Sequence, residues 1–126
     1  MRAVDANVLV RLITRDDAAQ VAAAERFVAN GAWVSHLALA EMSWVLDAVY
    51  ERSAADIATA IELLLDHREL SVQEPRVVVA ALEQYRSHPA VGFSDCLLLE
   101  IARGAGHVPL GTFDRALGKL TGAHRL

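Results

Sequence analysis

Short apolar stretches alternate with longer helix-forming segments along the chain, and this alternation limits the fold more than any other feature of the sequence. The strand candidates, in chain order, are RAV, AWVS, ELSV, HVPLGTF and a final edge strand near the carboxyl terminus. Strands that alternate with amphipathic helices form mostly parallel sheets with helices on both faces. We therefore predict an α/β fold, a three-layer α/β/α sandwich with a mostly parallel central sheet of four to five strands.

Residues that commonly begin or end helices separate these strand candidates. The predicted helices run from Asp16 and Asp17 to Gly31, from a Ser35 cap to about Tyr50, from a capping box of Ser53 and Asp56 to about His67, from Pro75 to about Ser87, and from Ser94 to Gly104. Further helix starts are Asp5, which could cap NVLVRLI, and Asp114, before a short helix. No internal repeat, linker or low-complexity stretch interrupts this pattern, so we predict a single domain over residues 1–126.

The composition is that of a folded protein of 126 residues, long enough to bury a core without disulfides or a structural metal. Hydrophobic residues make up 54% and charged residues 22%, which argues against disorder. The single cysteine, Cys96, cannot form an intramolecular disulfide, and we expect a reducing, cytoplasmic compartment. A net charge of −4 argues against a protein that coats nucleic acid non-specifically but leaves local contact with it open.

Four acidic side chains occupy positions that a folding core does not require. Asp5 and Asp114 each follow a strand candidate, and ligands of parallel α/β sheets bind beyond the carboxyl ends of the strands. Asp95 lies at a helix start, and Glu41 lies within a helix. Each has a structural alternative. Asp5 and Asp114 could cap helices, Asp95 could be an acid in the first turn of a helix that Ser94 caps, and Glu41 could pair with an arginine.

The helix that contains Glu41 has apolar residues on the same side as this glutamate. At about 100° per residue, Glu41 shares a face with Leu37, Trp44, Val45 and Ala48. The opposite face carries His36, Ser43, Asp47 and Tyr50. We therefore expect Glu41 to point inward.

Four converging carboxylates would repel one another and raise some of their pKa values unless a cation neutralises them. Mg²⁺ and Mn²⁺ prefer carboxylate oxygens and keep bound waters. Such a site suits hydrolysis of a phosphodiester. From the residues alone, the hypothesis is a divalent-metal phosphodiesterase.

The four acids lie in the segments VDANVLVRLI, LALAEMSWVL, FSDCLLLEIAR and LGTFDRAL. In this order they resemble the PIN-domain ribonucleases, and more narrowly the VapC toxins of type II toxin–antitoxin (VapBC) systems, over essentially the whole chain. The resemblance implies an endoribonuclease that depends on Mg²⁺ or Mn²⁺, forms a homodimer and is restrained by a cognate VapB-like antitoxin. The implied catalytic and metal-binding residues are Asp5, Glu41, Asp95 and Asp114, supported by Asn7 and Thr112.

Three arginines follow the first and fourth motifs closely. Arg11, Arg15 and Arg115 could contact RNA phosphates. Ion pairs with neighbouring acids such as Asp16 or Asp17 are equally compatible with their positions. The sequence leaves both roles open.

Other residues near the motifs fit structural roles better. Glu100 lies five positions after the third acid, about 140° around the helix, which indicates a solvated or peripheral charge. Cys96 begins an apolar run and fits a small buried residue better than a nucleophile. Trp33, Trp44 and Phe27 are placed for core or dimer packing, although an exposed aromatic ring could stack on an RNA base.

Two other functions stay open at this point. A haloacid-dehalogenase-like phosphatase would use Asp5 as a covalent nucleophile, but that family has a second aspartate where Asn7 stands. A non-catalytic PIN-like module would bind RNA or a protein partner without cleaving anything. Binding without metal-dependent cleavage would distinguish it from the nuclease.

Overall fold

The computed structural model describes all 126 residues, which form two compact units, Met1–Gln73 and Glu74–Leu126. The elements of the first unit are β1 (Arg2–Ala3), α1 (Ala6–Thr14), α2 (Ala18–Val28), β2 (Ala32–Val34), α3 (His36–Ala48), α4 (Ala54–Asp66) and β3 (Leu70–Val72). Those of the second unit are α5 (Pro75–Ser87), α6 (Phe93–Gly104), β4 (Leu110–Thr112), a 3₁₀ turn (Leu117–Lys119) and β5 (Ala123–Arg125). The predicted mixture of helices and short strands is confirmed.

All strand pairs are parallel, as predicted. In the first unit, β2 lies between β1 and β3, with Ala32 opposite both Arg2 and Leu70. In the second unit, β4 pairs with β5, and Leu110 lies opposite Ala123. The predicted α/β class is confirmed. The five strands form two small sheets, however, where we expected one central sheet. Three of the strands belong to the first unit and two to the second.

Helices supply most of the core in each unit. In the first unit α1 packs against α2 and α3, and in the second α5 packs against α6. Fully buried residues of the first unit include Leu9, Val34, Leu39, Met42, Leu46, Ile61 and Leu64, and those of the second include Val78, Cys96 and Leu99. None of the helices combines the length and the apolar character that crossing a membrane requires.

Side-chain caps begin four of the helices, and most were predicted from the sequence. The oxygens of Asp5, Asp17, Ser35 and Ser53 accept hydrogen bonds from backbone N–H groups three residues later, at 3.1, 3.0, 3.0 and 3.1 Å. Pro75 is the first residue of α5, where its missing N–H costs nothing. Each side-chain cap contributes about 1 kcal/mol to stability.

The predicted Ser94 cap of α6 is wrong. The helix begins one residue earlier, and its N-cap is Gly92, whose carbonyl accepts a hydrogen bond from Asp95 N at 3.1 Å. Phe93 is buried, and its ring packs edge-on against Tyr85 with the centroids 5.9 Å apart. Burial of this ring fixes the start of the helix and leaves Ser94 exposed.

Candidate functional site

Asp5 lies between β1 and α1 and is exposed. Its backbone is extended, with φ −92° and ψ 179°, so the side chain turns back onto the helix and Oδ1 accepts a hydrogen bond from Val8 N at 3.1 Å. Asp5 is therefore a helix cap, as the structural alternative predicted. Capping uses one carboxylate oxygen, and the other has no partner within the protein, so it is free to bind a ligand.

Asn7 lies in the first turn of α1 and is exposed. Its side-chain amide makes no hydrogen bond within the protein, although an amide offers two donors and an acceptor. This polar group is thus available to a ligand beside Asp5.

The prediction that Glu41 points inward is wrong. Glu41 is exposed, and Leu37 and Trp44 on the same face of α3 are 67% and 65% exposed. The buried face includes two polar residues, each with a hydrogen bond: His36 Nε2 lies 2.7 Å from Gln73 O, and Ser43 Oγ donates to Ala40 O at 2.7 Å.

The reason for this error is that α3 has apolar residues around its whole circumference, so periodicity does not identify its buried side. Glu41 also forms no ion pair, so the alternative of an arginine partner is wrong as well. Its carboxylate is available to a ligand from solvent.

Asp95 and Asp114 interact within the second unit. Asp95 is half-buried in the first turn of α6, and Asp114 is exposed after β4. Burial, followed by the negative charge of Asp114, raises the pKa of the Asp95 carboxyl. Neither carboxylate forms an ion pair, so a bound cation would relieve their repulsion.

Thr112 and Leu117 fix the position of Asp114. The Thr112 hydroxyl accepts a hydrogen bond from Asp114 N at 3.0 Å, and Asp114 Oδ1 accepts one from Leu117 N at 2.7 Å. The first residue of the 3₁₀ turn therefore holds one oxygen of Asp114, and the second oxygen stays free. Thr112 therefore contacts the backbone of Asp114, the acid that it would support according to the PIN-domain resemblance.

The four predicted acids are divided between the units, with Asp5 and Glu41 in the first and Asp95 and Asp114 in the second. Within neither unit do three or more His, Cys, Asp or Glu side chains gather where they could hold a metal ion. The chemistry of the donors nevertheless fits a hard divalent cation, because all four are carboxylates and none is neutralised by an ion pair.

Two of the three candidate RNA-binding arginines already have acidic partners. Arg11 pairs with Asp16 at 2.9 Å, and Arg15 pairs with Glu25 at 2.5 Å. Arg115 is exposed and forms no ion pair. Of the three, Arg115 is the one whose charge is fully available to a phosphate.

Tyr50 completes a polar cluster with Arg11 and Asp16 that was not predicted from the sequence. The tyrosine hydroxyl donates to Asp16 Oδ2 at 2.8 Å and accepts from Arg11 Nη1 at 2.9 Å. Hydrogen bonds from Tyr50 and then Thr14 lower the pKa of Asp16. No sequence signal identifies this contact, because Asp16 and Tyr50 are 34 residues apart.

Glu100 is buried, with 7% of its surface exposed, so the prediction of a solvated or peripheral charge is wrong. Arg103 Nε lies 3.2 Å from each of its carboxylate oxygens, and Arg103 Nη2 donates to Thr121 O at 2.6 Å. The spacing of three residues between Glu100 and Arg103 is the signal that could have identified this helical pair. Glu100 has a structural role and is not a fifth site acid.

The remaining residues singled out from the sequence divide between core and surface. Cys96 is fully buried, as predicted, and burial raises the pKa of its thiol to about 11. Trp33 and Trp44 are 38% and 65% exposed, so the prediction that they pack in the core is wrong, while dimer packing and base stacking stay predictions. Phe27 is half-buried, with the Arg2 guanidinium carbon 3.9 Å from its ring centroid.

The family model described as PIN domain matches residues 2–123. Curated proteins and solved structures give no significant match. The match includes all four acids and every helix and strand except the final residues of β5. The chain therefore belongs to the PIN domain family.

Proposed function

We propose that this protein is a metal-dependent endoribonuclease that hydrolyses RNA phosphodiester bonds. PIN domains are generally nucleases and typically use divalent metals. The observation that carries the proposal is that Asp5, Glu41, Asp95 and Asp114 form no ion pair, although arginines are plentiful in the chain. Asp5, Glu41 and Asp114 are exposed to solvent, whereas Asp95 is half-buried beside the negative charge of Asp114, so a bound cation would stabilise Asp95 most.

Asp5, Glu41, Asp95 and Asp114 would hold the metal, Mg²⁺ or Mn²⁺. When bound, the ion supplies a water molecule of lowered pKa and neutralises negative charge on the phosphodiester. The chain contributes preorganisation, because Asp5 and Asp114 are each fixed through one oxygen by a hydrogen bond from a backbone N–H group. Thr112 holds the backbone of Asp114, and Asn7 presents a free amide beside Asp5.

The finer assignment is a VapC-like toxin of a toxin–antitoxin pair, acting in the cytoplasm as a homodimer and restrained by a VapB-like antitoxin. Its support is the order of the four motifs along the chain. Exposed Leu37 and Trp44 beside Glu41 provide an apolar surface of the kind that protein partners cover. Arg115, which has no acidic partner, is the arginine best placed to contact RNA phosphates, ahead of Arg11 and Arg15.

Asp5→Asn tests the proposal without removing the helix cap, because asparagine caps as well as aspartate. We expect the variant to retain its melting temperature and to lose RNA cleavage at least about a hundredfold, since the interaction removed is worth several kcal/mol. The matched control is Asp17→Asn, which changes the corresponding cap of α2 and should cleave like the wild type. The measurement is cleavage of a structured RNA pool with added Mg²⁺ or Mn²⁺ and with a chelator.

Other outcomes of this assay separate the alternatives. Undiminished cleavage by Asp5→Asn would contradict the proposed role of this acid. Tight RNA binding without cleavage in either metal would indicate the non-catalytic binding module. The PIN match favours the nuclease over the haloacid-dehalogenase-like phosphatase, which trapping of a phosphorylated Asp5 would support instead.

A further inference from the structure

A cavity of about 320 Å³ lies against α1 and α2 in the first unit. Asn7 and Val8 form its α1 wall, and Ala23 and Phe27 form part of its α2 wall. Val8 is also the residue whose N–H binds the Asp5 carboxylate. The cavity therefore adjoins the first candidate metal ligand through the first turn of α1.

The aromatic wall of this cavity is held in place by Arg2. The guanidinium carbon of Arg2 lies 3.9 Å from the Phe27 ring centroid, and Arg2 Nη2 donates to Phe27 O at 3.0 Å. The guanidinium covers one face of the ring, so a flat ligand would stack on the opposite face, and a ring fixed in this way loses little conformational entropy. Stacking of a base on an aromatic side chain is a main source of affinity for single-stranded nucleic acid.

The polar groups at the cavity suit a nucleotide. The Asn7 amide has no partner and can pair with the edge of a base. Arg2 does not line the cavity, but it contacts Phe27, which does, and no acid neutralises its charge. Arg11 and Gln20, by contrast, are hydrogen-bonded to each other and form a fixed part of the wall.

We propose that this cavity binds one nucleobase of the RNA strand that is cut, and so sets the base preference at one position near the scissile phosphate. The inference rests on the proposed function and adds a substrate contact to it. The volume of about 320 Å³ is at the small end of ligand sites, which span about 300–1,000 Å³, and so suits one flat ring system. A mostly apolar cavity with a free amide, beside a cation that no acid neutralises, matches a base attached to a phosphate better than an aliphatic ligand.

The test measures equilibrium binding of short single-stranded RNAs in a chelator, where no cleavage occurs, with one abasic nucleotide moved along the strand. Ala23→Trp fills the cavity from an exposed position, and Phe27→Leu removes the ring. Ala19→Trp is the matched control, since Ala19 is exposed on the same helix and does not line the cavity. Thermal melting verifies that each variant is folded.

For the wild type and Ala19→Trp we expect loss of one particular base to weaken binding on the order of tenfold, the scale of a single stacking contact. Ala23→Trp and Phe27→Leu should bind intact RNA about as weakly as the wild type binds that abasic strand, and should lose nothing further when the base is removed. In a cleavage assay with metal, the same two variants should cut with a relaxed base preference.

An abasic penalty that persists in Ala23→Trp and Phe27→Leu would overturn the inference, as would wild-type affinity of both variants for intact RNA. A change in self-association of Ala23→Trp by sedimentation, without a change in RNA binding, would assign the cavity to a second copy of the chain and overturn it too. RNA cleavage with base preference unchanged in both variants would leave the proposed function standing and this inference wrong. Base-selective binding that depends on the cavity, with no cleavage in any metal, would instead contradict the proposed function alone.

Discussion

Gly122 has a backbone conformation that side chains rarely adopt, with φ 93°, and it lies against the guanidinium group of Arg103. A Cβ at this position would be 2.8 Å from Arg103 Nη2. Arg103 cannot easily move, because it binds the buried Glu100 carboxylate and donates to Thr121 O. The glycine thus allows the segment before β5 to approach α6.

Gly122→Ala should destabilise the protein more than Gly106→Ala. Both positions have positive φ, 93° and 81°, so each substitution costs about 1–2 kcal/mol of backbone strain. At Gly122 the new methyl group would also disturb the hydrogen-bonded Arg103, at a further cost of about 1 kcal/mol. At Gly106 no atom lies within 4 Å of the added Cβ, so this further cost is absent. Urea unfolding of the two variants measures the difference, and equal losses would show that the contact with Arg103 contributes nothing.

Among the four candidate site acids, the sequence predicted the position correctly only for those that follow a strand or start a helix. Asp5 and Asp114 were identifiable because the order of strand and acid is local. The inward orientation of Glu41 was wrong because hydrogen bonds allow His36 and Ser43 to be buried, which the hydropathy pattern of α3 does not reveal. Exposure of Glu41 follows from tertiary packing and not from its neighbours in sequence.

At the level of helices and strands, local chemistry determines most boundaries. Ser35 and Ser53 cap the predicted helices because a cap depends only on residues three positions away. The start of α6 depends instead on burial of Phe93 against Tyr85, eight positions earlier in another helix, and the sequence placed it one residue too late. Contacts between elements are the part that local patterns do not specify.

The cluster of Tyr50, Asp16 and Arg11 joins the segment after α1 to the segment after α3 and makes stability depend on pH. The pKa of Asp16 is lowered below its ordinary 3.8, first by the hydrogen bond from Tyr50. A carboxyl whose pKa is lowered on folding stabilises the protein above its unfolded-state pKa and loses that contribution as pH falls through the folded-state value. The stabilisation is therefore present at neutral pH and lost below about 3.8.

Tyr50→Phe should accordingly be less stable than the wild type at pH 7, and the difference should shrink as the pH falls below the ordinary pKa of 3.8. Urea unfolding at neutral and at acidic pH measures both values. In an Asp16→Asn background the effect of Tyr50→Phe should no longer depend on pH over this range. A difference that stays constant down to low pH in the unmodified background would mean that the Tyr50 hydroxyl does not act through Asp16.

At the level of the whole molecule, the alternation of strands and helices was sufficient to predict an α/β fold with parallel strands. The division of the strands between two sheets was not predictable. Which strands pair depends on contacts between residues that are distant in sequence, such as Ala32 and Leu70, and local patterns do not specify such contacts. The PIN family match spans both units, each of which carries two of the four acids. The proposed activity therefore requires residues from nearly the whole length of the chain.

Glu41→Gln is the most direct test of the proposed function, because Glu41 is exposed and has no partner in the fold. Its free energy of unfolding should match that of the wild type within about 0.5 kcal/mol. The control is Asp47→Asn, which removes another exposed acid of α3. Measured as Mg²⁺- or Mn²⁺-dependent cleavage of an RNA pool, activity should fall at least about a hundredfold in Glu41→Gln and stay unchanged in Asp47→Asn. Equal cleavage by the wild type and Glu41→Gln would contradict a metal site built on these four carboxylates.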